Sequence, residues 1–170
     1  LVILVVVILC MIFGGGSWKT PINNVMDVLN DGDGKAFEEL MPPYYKDMAD
    51  ALDGIVDISD EDYDEEAENQ RDRLTKKYGD DAEISYEVVK KTEVDSDDID
   101  SYNDMSDLAS VLSAKKAKKY ELKKAYKVKI KYTIEGEDAD KTDKTTVIVG
   151  KMDGTWVLLD EGDLPISTGF

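Results

Sequence analysis

Histidine is missing from this chain of 170 residues. With it go the commonest general base at neutral pH and the commonest ligand for transition metals, so triads and zinc sites built on imidazole are excluded within the chain. Cysteine occurs once, as Cys10, which rules out an intramolecular disulfide and a thiolate metal cluster and leaves the redox compartment open. Basic charge is scarce as well: 21 Lys and Arg face 38 Asp and Glu, a formal net charge of −17. That surplus opposes the counterion release that drives nucleic-acid binding, so DNA and RNA are not expected partners. No pattern of residues implies a bound cofactor or a resident metal.

What is present begins with an apolar run. Residues 1–13, LVILVVVILCMIF, contain no charge and lead into GGGSWK. From Leu1 to Gly16 a helix would reach about 24 Å, short of the ~30 Å hydrocarbon core of a bilayer. The chain opens on Leu1 instead of Met, so residues upstream are expected to complete the span and to supply cytoplasmic positive charge. Trp18 then falls where interfacial aromatics gather. The rival reading is a secretory signal cut after Gly14–Gly16, which would leave the remainder secreted. Length favours the anchor. Lipidation of Cys10 is disfavoured by its bulky neighbours Leu9 and Met11. Residues 1–16 are thus read as a transmembrane anchor or signal segment, and residues 17–170 as an extracytoplasmic domain.

The chain as a whole is 42% hydrophobic, and beyond the apolar run its apolar residues are spread over separate elements, so residues 17–170 can build one core. Thr20 as N-cap and Pro21 in the first turn predict a helix whose Ile22, Val25, Met26 and Leu29 share a face. The following stretch, LNDGDGKAFEELMPP, resembles half of a calcium-binding loop. Such a loop needs oxygen ligands at its first, third and fifth positions, glycine at the sixth and a bidentate Glu at the twelfth. Placing Gly34 at the sixth puts Leu29 at the first and Leu40 at the twelfth. Placing Gly32 there recovers Asp27 and Glu38 but leaves Leu29 as the third ligand. Neither register closes a coordination sphere, so Asn30–Gly34 is read as a turn, with Leu29, Phe37, Leu40 and Met41 as core.

A further helix is expected after Pro42-Pro43, from Tyr44, Tyr45, Met48 and Leu52. Ser59 with Asp60, Glu61 and Asp62 opens a long helix with Tyr63, Ala67, Leu74 and Tyr78 on one face, closed by Lys76, Lys77 and Gly79. There the period changes to two. ISYEVV alternates Ile84, Tyr86 and Val88, and YKVKIKYTI sets Tyr126, Val128, Ile130, Tyr132 and Ile134 against Lys127, Lys129, Lys131 and Thr133. Between them, Ile99, Tyr102, Met105, Ala109 and Leu112 are spaced for an inserted helix. TTVIVG and TWVLLD flank Asp153-Gly154, a hairpin signal, and EGEDADKTDK reads as the preceding loop. The last ten residues carry no pattern. The predicted fold class is α+β: N-terminal helices packed on a curved antiparallel sheet of about four strands.

KTPINNVMDVLNDGDGKAFEELMPP and GKMDGTWVLLD resemble the opening helix pair and the closing hairpin, with Gly154 and Trp156, of nuclear transport factor 2-like domains. That resemblance implies a cone of sheet and helices, the scaffold also of ketosteroid isomerase and scytalone dehydratase, curled around the longest helix. A membrane segment ending in glycines, followed by an aromatic, Lys, Thr and Pro, is similar to membrane-anchored surface proteins of Gram-positive bacteria. This implies a bacterial cell-surface location and, in the region upstream, a small cytoplasmic zinc ribbon. No residue here matches the isomerase acid and base.

Two features could carry binding. Residues 57–107 hold twenty Asp or Glu against six Lys or Arg, whereas residues 115–131 hold nine Lys against Glu121. The first could be a weak calcium surface or a dock for a basic partner, the second a site for an anionic envelope polymer or lipid headgroups; alternatively both are solvated faces. The second feature is aromatic. Tyr63, Tyr78, Tyr86, Tyr126, Tyr132 and Trp156 are the candidates for lining a concave pocket, or else they fill the cone. Catalysis there would require a carboxylate of raised pKa, and Glu83 or Glu87 would have to reverse its strand face to supply one. The function expected is therefore a non-catalytic, membrane-anchored extracytoplasmic domain that binds a protein, an envelope polymer or a small ligand. The alternatives are a cone-fold isomerase or dehydratase acting on a small hydrophobic substrate and a calcium-responsive surface module.

Overall fold

The computed structural model describes residues 16–45, 47, 60–105 and 114–167. The apolar run, the expected helical positions Met48 and Leu52, the cap Ser59, and Ala109 and Leu112 lie outside the described residues.

Helix α1, Thr20–Asp31, buries seven of its twelve residues and leaves Asn23, Asp27 and Asp31 as an exposed stripe at four-residue spacing. The predicted face of Ile22, Val25, Met26 and Leu29 is joined by Val28, because this helix is covered from more than one side. Its start differs from expectation: Thr20 is already helical, Lys19 holds the cap position without a side-chain bond, and the Thr20 N–H donates to the Ser17 carbonyl at 2.8 Å.

The acidic stretch that follows is a corner. Gly32 closes α1 at φ 65, where its N–H meets the Val28 carbonyl at 2.9 Å. Asp33 then caps α2, Gly34–Leu40, its carboxylate accepting from the Ala36 N–H at 3.0 Å. The long helix α3, Asp60–Tyr78, crosses so near that a Cβ on Gly34 would collide with Asp64. Helix α3 packs on α1 and α2 through Ala67, Leu74 and Tyr78, with the half-buried Tyr63 against Phe37. The resemblance led us to expect the longest helix beneath the sheet; that place belongs to α1, which touches both border strands. Sequence explains the exchange, since α3 is acidic around a single narrow stripe whereas α1 is apolar on most sides.

Four strands follow: β1, Glu83–Glu93; β2, Lys124–Glu135; β3, Lys141–Met152; and β4, Thr155–Asp160. They form one antiparallel sheet in chain order. On the face toward the helices, Ile84 and Tyr86 stand opposite Ile134 and Tyr132, and Val128 opposite Val147. β1 bulges at Val89, and beyond it Lys91 takes the place opposite Val128. Val88, expected inside, is 38% exposed and Val89 51%, on a strand at the border of the sheet formed by the described residues. The β3–β4 turn is the anticipated Asp153-Gly154 pair, with φ of 46° and 84°.

Two further expectations need correction. Of the predicted loop only residues 136–140 lie between strands, because Lys141–Lys144 pair with Lys131–Ile134 and extend the hairpin. The C-terminal segment, featureless in sequence, inserts Leu164 and Ile166 into the main core. Gln70 on α3 fastens it, donating to the Ser167 carbonyl at 3.0 Å and accepting from the Ser167 N–H at 3.2 Å.

A smaller cluster lies around Leu122, Ala125, Met152 and Val157, residues that alternate with the inward-facing set. Ile99 and Tyr102 of α4, Ser96–Met105, pack against it together with Tyr44. The Asn103 amide clamps both backbone groups of Leu122, at 3.1 and 2.8 Å. A short helix α5, Ala114–Lys119, precedes this link.

Candidate functional site

The six aromatic candidates separate into two groups. Tyr132 is fully buried and Tyr78 nearly so, both within the main core. The Tyr132 hydroxyl donates to the Asp163 carbonyl at 3.2 Å and accepts from the Lys141 ammonium at 2.6 Å. Through that contact, and secondarily through Asp143 at 3.4 Å, the Lys141 ammonium titrates above the usual lysine range. Tyr63 and Tyr86 are half-buried, and the Tyr86 hydroxyl donates to the Asn23 side chain at 2.7 Å. Burial raises the Tyr86 phenol, and the nearby Asp27 carboxylate adds to the shift. Tyr132 and Tyr86 thus place their hydroxyls on partners within the fold, the arrangement expected of polar tips in a filled core.

Tyr126 and Trp156 belong elsewhere. Their rings stack at 5.3 Å with an interplanar angle of 14°, and Trp18 meets the other flank of Tyr126 edge-on at 6.3 Å. All three are half-buried. Around them stand lysines from four different segments. The Lys91 ammonium lies 4.2 Å from the Tyr126 ring centre and 4.9 Å from that of Trp18. Lys19 approaches Trp18 at 5.5 Å, Lys124 approaches Tyr126 at 5.3 Å, and Lys151 lies 6.0 Å over Trp156. Lys124 is paired with Glu93 at 3.0 Å. Among the described residues Lys19, Lys91 and Lys151 form no ion pair with a carboxylate.

Each member is placed by an ordinary structural cause. Trp18 sits in the turn that starts α1. Tyr126 and Trp156 are inward positions near the ends of β2 and β4, and the β1 bulge brings Lys91 to the same face. The product is an aromatic platform rimmed with positive charge on a protein of net charge −17. Such a surface can attract an anion and offer it flat apolar contact. Of the pocket candidates only Tyr126 and Trp156 take part. Trp18, Lys91 and Lys151 were not read as neighbours, since no local pattern links positions so far apart in the chain.

The carboxylates considered for acid–base work, Glu83 and Glu87, are exposed on the opposite face of β1. Among the described residues the carboxyl of Asp27 is shifted upward: desolvation raises it first, then the charges of Asp31, Asp33 and Glu39. It lies on the exposed stripe of α1, near Tyr86. Oxygen groups in the former calcium-loop candidate already have structural partners, with Asp33 capping α2 and Asn30 bonded to β1. No group of three or more potential metal ligands occurs among the described residues. No helix among the described residues is long and apolar enough to cross a membrane.

Comparison of the chain with protein-family models, with curated proteins and with solved structures gives no match. What the fold itself defines is an α+β domain of three N-terminal helices on a four-stranded antiparallel sheet.

Proposed function

We propose that the chain is a membrane-anchored extracytoplasmic binding domain of the nuclear transport factor 2-like type, without catalytic activity, tethered through residues 1–16. One observation carries the reading: Trp18, two residues beyond the glycines that end the apolar run, is built into an aromatic and lysine platform instead of being free of the domain. An uncharged apolar run joined to a folded, acidic domain suits a tethered module, and the internal bonding of the Tyr86 and Tyr132 hydroxyls suits a filled interior. The ligand class in keeping with a tethered module of this kind is a protein or an envelope polymer.

The test is fractionation with external proteolysis in a bacterial host. The chain should resist alkaline carbonate extraction from membranes and be digested by protease added to intact spheroplasts. Carbonate release would remove the anchor, and protection from protease would remove the extracytoplasmic placement. Release into the medium with a new N-terminus after Gly14–Gly16 would make the protein a secreted one.

A second reading, a cone-fold isomerase or dehydratase, draws support from Asp27, whose raised carboxyl beside a phenol is the kind of group general-base chemistry uses. Asp27→Asn would abolish any such turnover and leave ligand binding at the platform unaltered.

A further inference from the structure

We propose that the corner formed by Trp18, Tyr126 and Trp156 with Lys19, Lys91 and Lys151 is a membrane-docking face, which lies on the anionic lipid surface of the bilayer holding the anchor. This rests on the anchor reading above and goes beyond it, because a tether alone leaves the domain free to tumble.

Three observations converge on that occupant. The first is position: only four residues, five Cα–Cα steps, separate Phe13, the last of the apolar run, from Trp18. Even fully extended they span about 17 Å, so the corner cannot leave the neighbourhood of the lipid surface. A short tether of this kind raises the local concentration of the face to the order of millimolar, enough to make weak contacts count. The second is chemistry. Tryptophan and tyrosine rings, apolar in body and polar at one edge, favour the headgroup zone, and lysines lay their stems along them while the ammonium reaches outward to phosphate. The third is charge. The lysines at the corner include three without an ion pair among the described residues, on a chain of net charge −17. An anionic surface repels most of this domain, so it selects the corner. Glu93, paired with Lys124, offsets one positive charge at the rim and leaves the other three free to act.

The platform therefore serves orientation. With the corner down, Trp156, distant in sequence from the apolar run, sits at the same depth as Trp18, since both rings contact Tyr126. The chain contains only these two tryptophans, which makes the prediction directly visible. In the full chain carrying Trp18→Phe, Trp156 is the sole tryptophan. Reconstituted in vesicles rich in phosphatidylglycerol, it should show blue-shifted emission and quenching by lipids brominated near the headgroup. That quenching should be at least twofold stronger than in phosphatidylcholine vesicles and should weaken at about 1 M salt, where screening extends to ~3 Å. Adding Lys91→Gln and Lys151→Gln to the Trp18→Phe chain should lower the quenching of Trp156 while the chain remains carbonate-resistant. Identical, unquenched Trp156 emission in both vesicle types, from a chain that resists carbonate, would overturn docking and leave the anchor standing. A chain stripped by carbonate would overturn the anchor and docking together. Because the vesicles contain no envelope polymer, a response confined to added anionic polymer would also reject the lipid surface as occupant.

Discussion

Asn30 stands at the end of α1 with its amide laid along the border of β1, donating to the Ile84 carbonyl at 2.9 Å and accepting from the Ile84 N–H at 2.8 Å. One side chain thus acts as the missing neighbour strand for one residue of the sheet. Arg71 works beside it, its guanidinium donating to the carbonyls of Leu29 and Ala82 and binding the helix end to the entry of β1. Asn30→Asp keeps the acceptor and sets a negative oxygen against the Ile84 carbonyl, so it should cost about 1–3 kcal/mol in urea unfolding. Asp27 should behave in the opposite sense. Its folded pKa lies above the unfolded value near 3.8, so the charged form burdens the folded state. That burden is complete above the folded pKa, diminishes as pH falls through it, and is gone below the unfolded pKa. Asp27→Asn should therefore stabilise the protein modestly at pH 7, since solvent screens this exposed carboxylate, and make no difference at pH 3. Urea midpoints at the two pH values decide it.

At the scale of elements, the C-terminal segment is the part whose importance is least evident from its composition. Leu164 and Ile166 are 5% and 7% exposed, and the adjoining Ser167 is held by Gln70. Leu164→Ala should cost about 2–4 kcal/mol, measured as a lowered denaturation midpoint with unchanged slope. The reasons for what sequence revealed are visible here. Val128, Ile130, Tyr132 and Ile134 alternate strictly with lysines and threonine, so β2 could be read directly. Asp153-Gly154 marked its turn because only a few residue types tolerate two successive positive φ angles. Leu164 and Ile166 flank a proline outside any helix or strand, where no periodicity can form. The polarity of residues 141–144 predicts a loop, yet Lys141 bonds the Tyr132 hydroxyl and Asp143 pairs with Lys141. The platform was half legible: Trp156 and Tyr126 were singled out as aromatics, but their union with Trp18 depends on the register of three strands.

Over the whole molecule the excess of acid adds self-repulsion to the chain entropy that opposes folding. Self-repulsion at a net charge of −17 is screened by salt, so melting should rise between about 10 mM and 0.3 M sodium chloride. A gain of roughly 1 kcal/mol corresponds to about 2–4 °C for a chain of this size. Millimolar calcium should raise the melting temperature no further than magnesium at equal ionic strength; a calcium-specific rise would revive a coordinating role for the acidic surfaces. The strand order has a consequence for biosynthesis. Helix α1 rests on β1 and on β4, the first and last strands of the meander. During synthesis from the N-terminus its apolar flank has no complete cover until residue 160 has emerged, so the nascent protein carries a sticky helix through most of its translation.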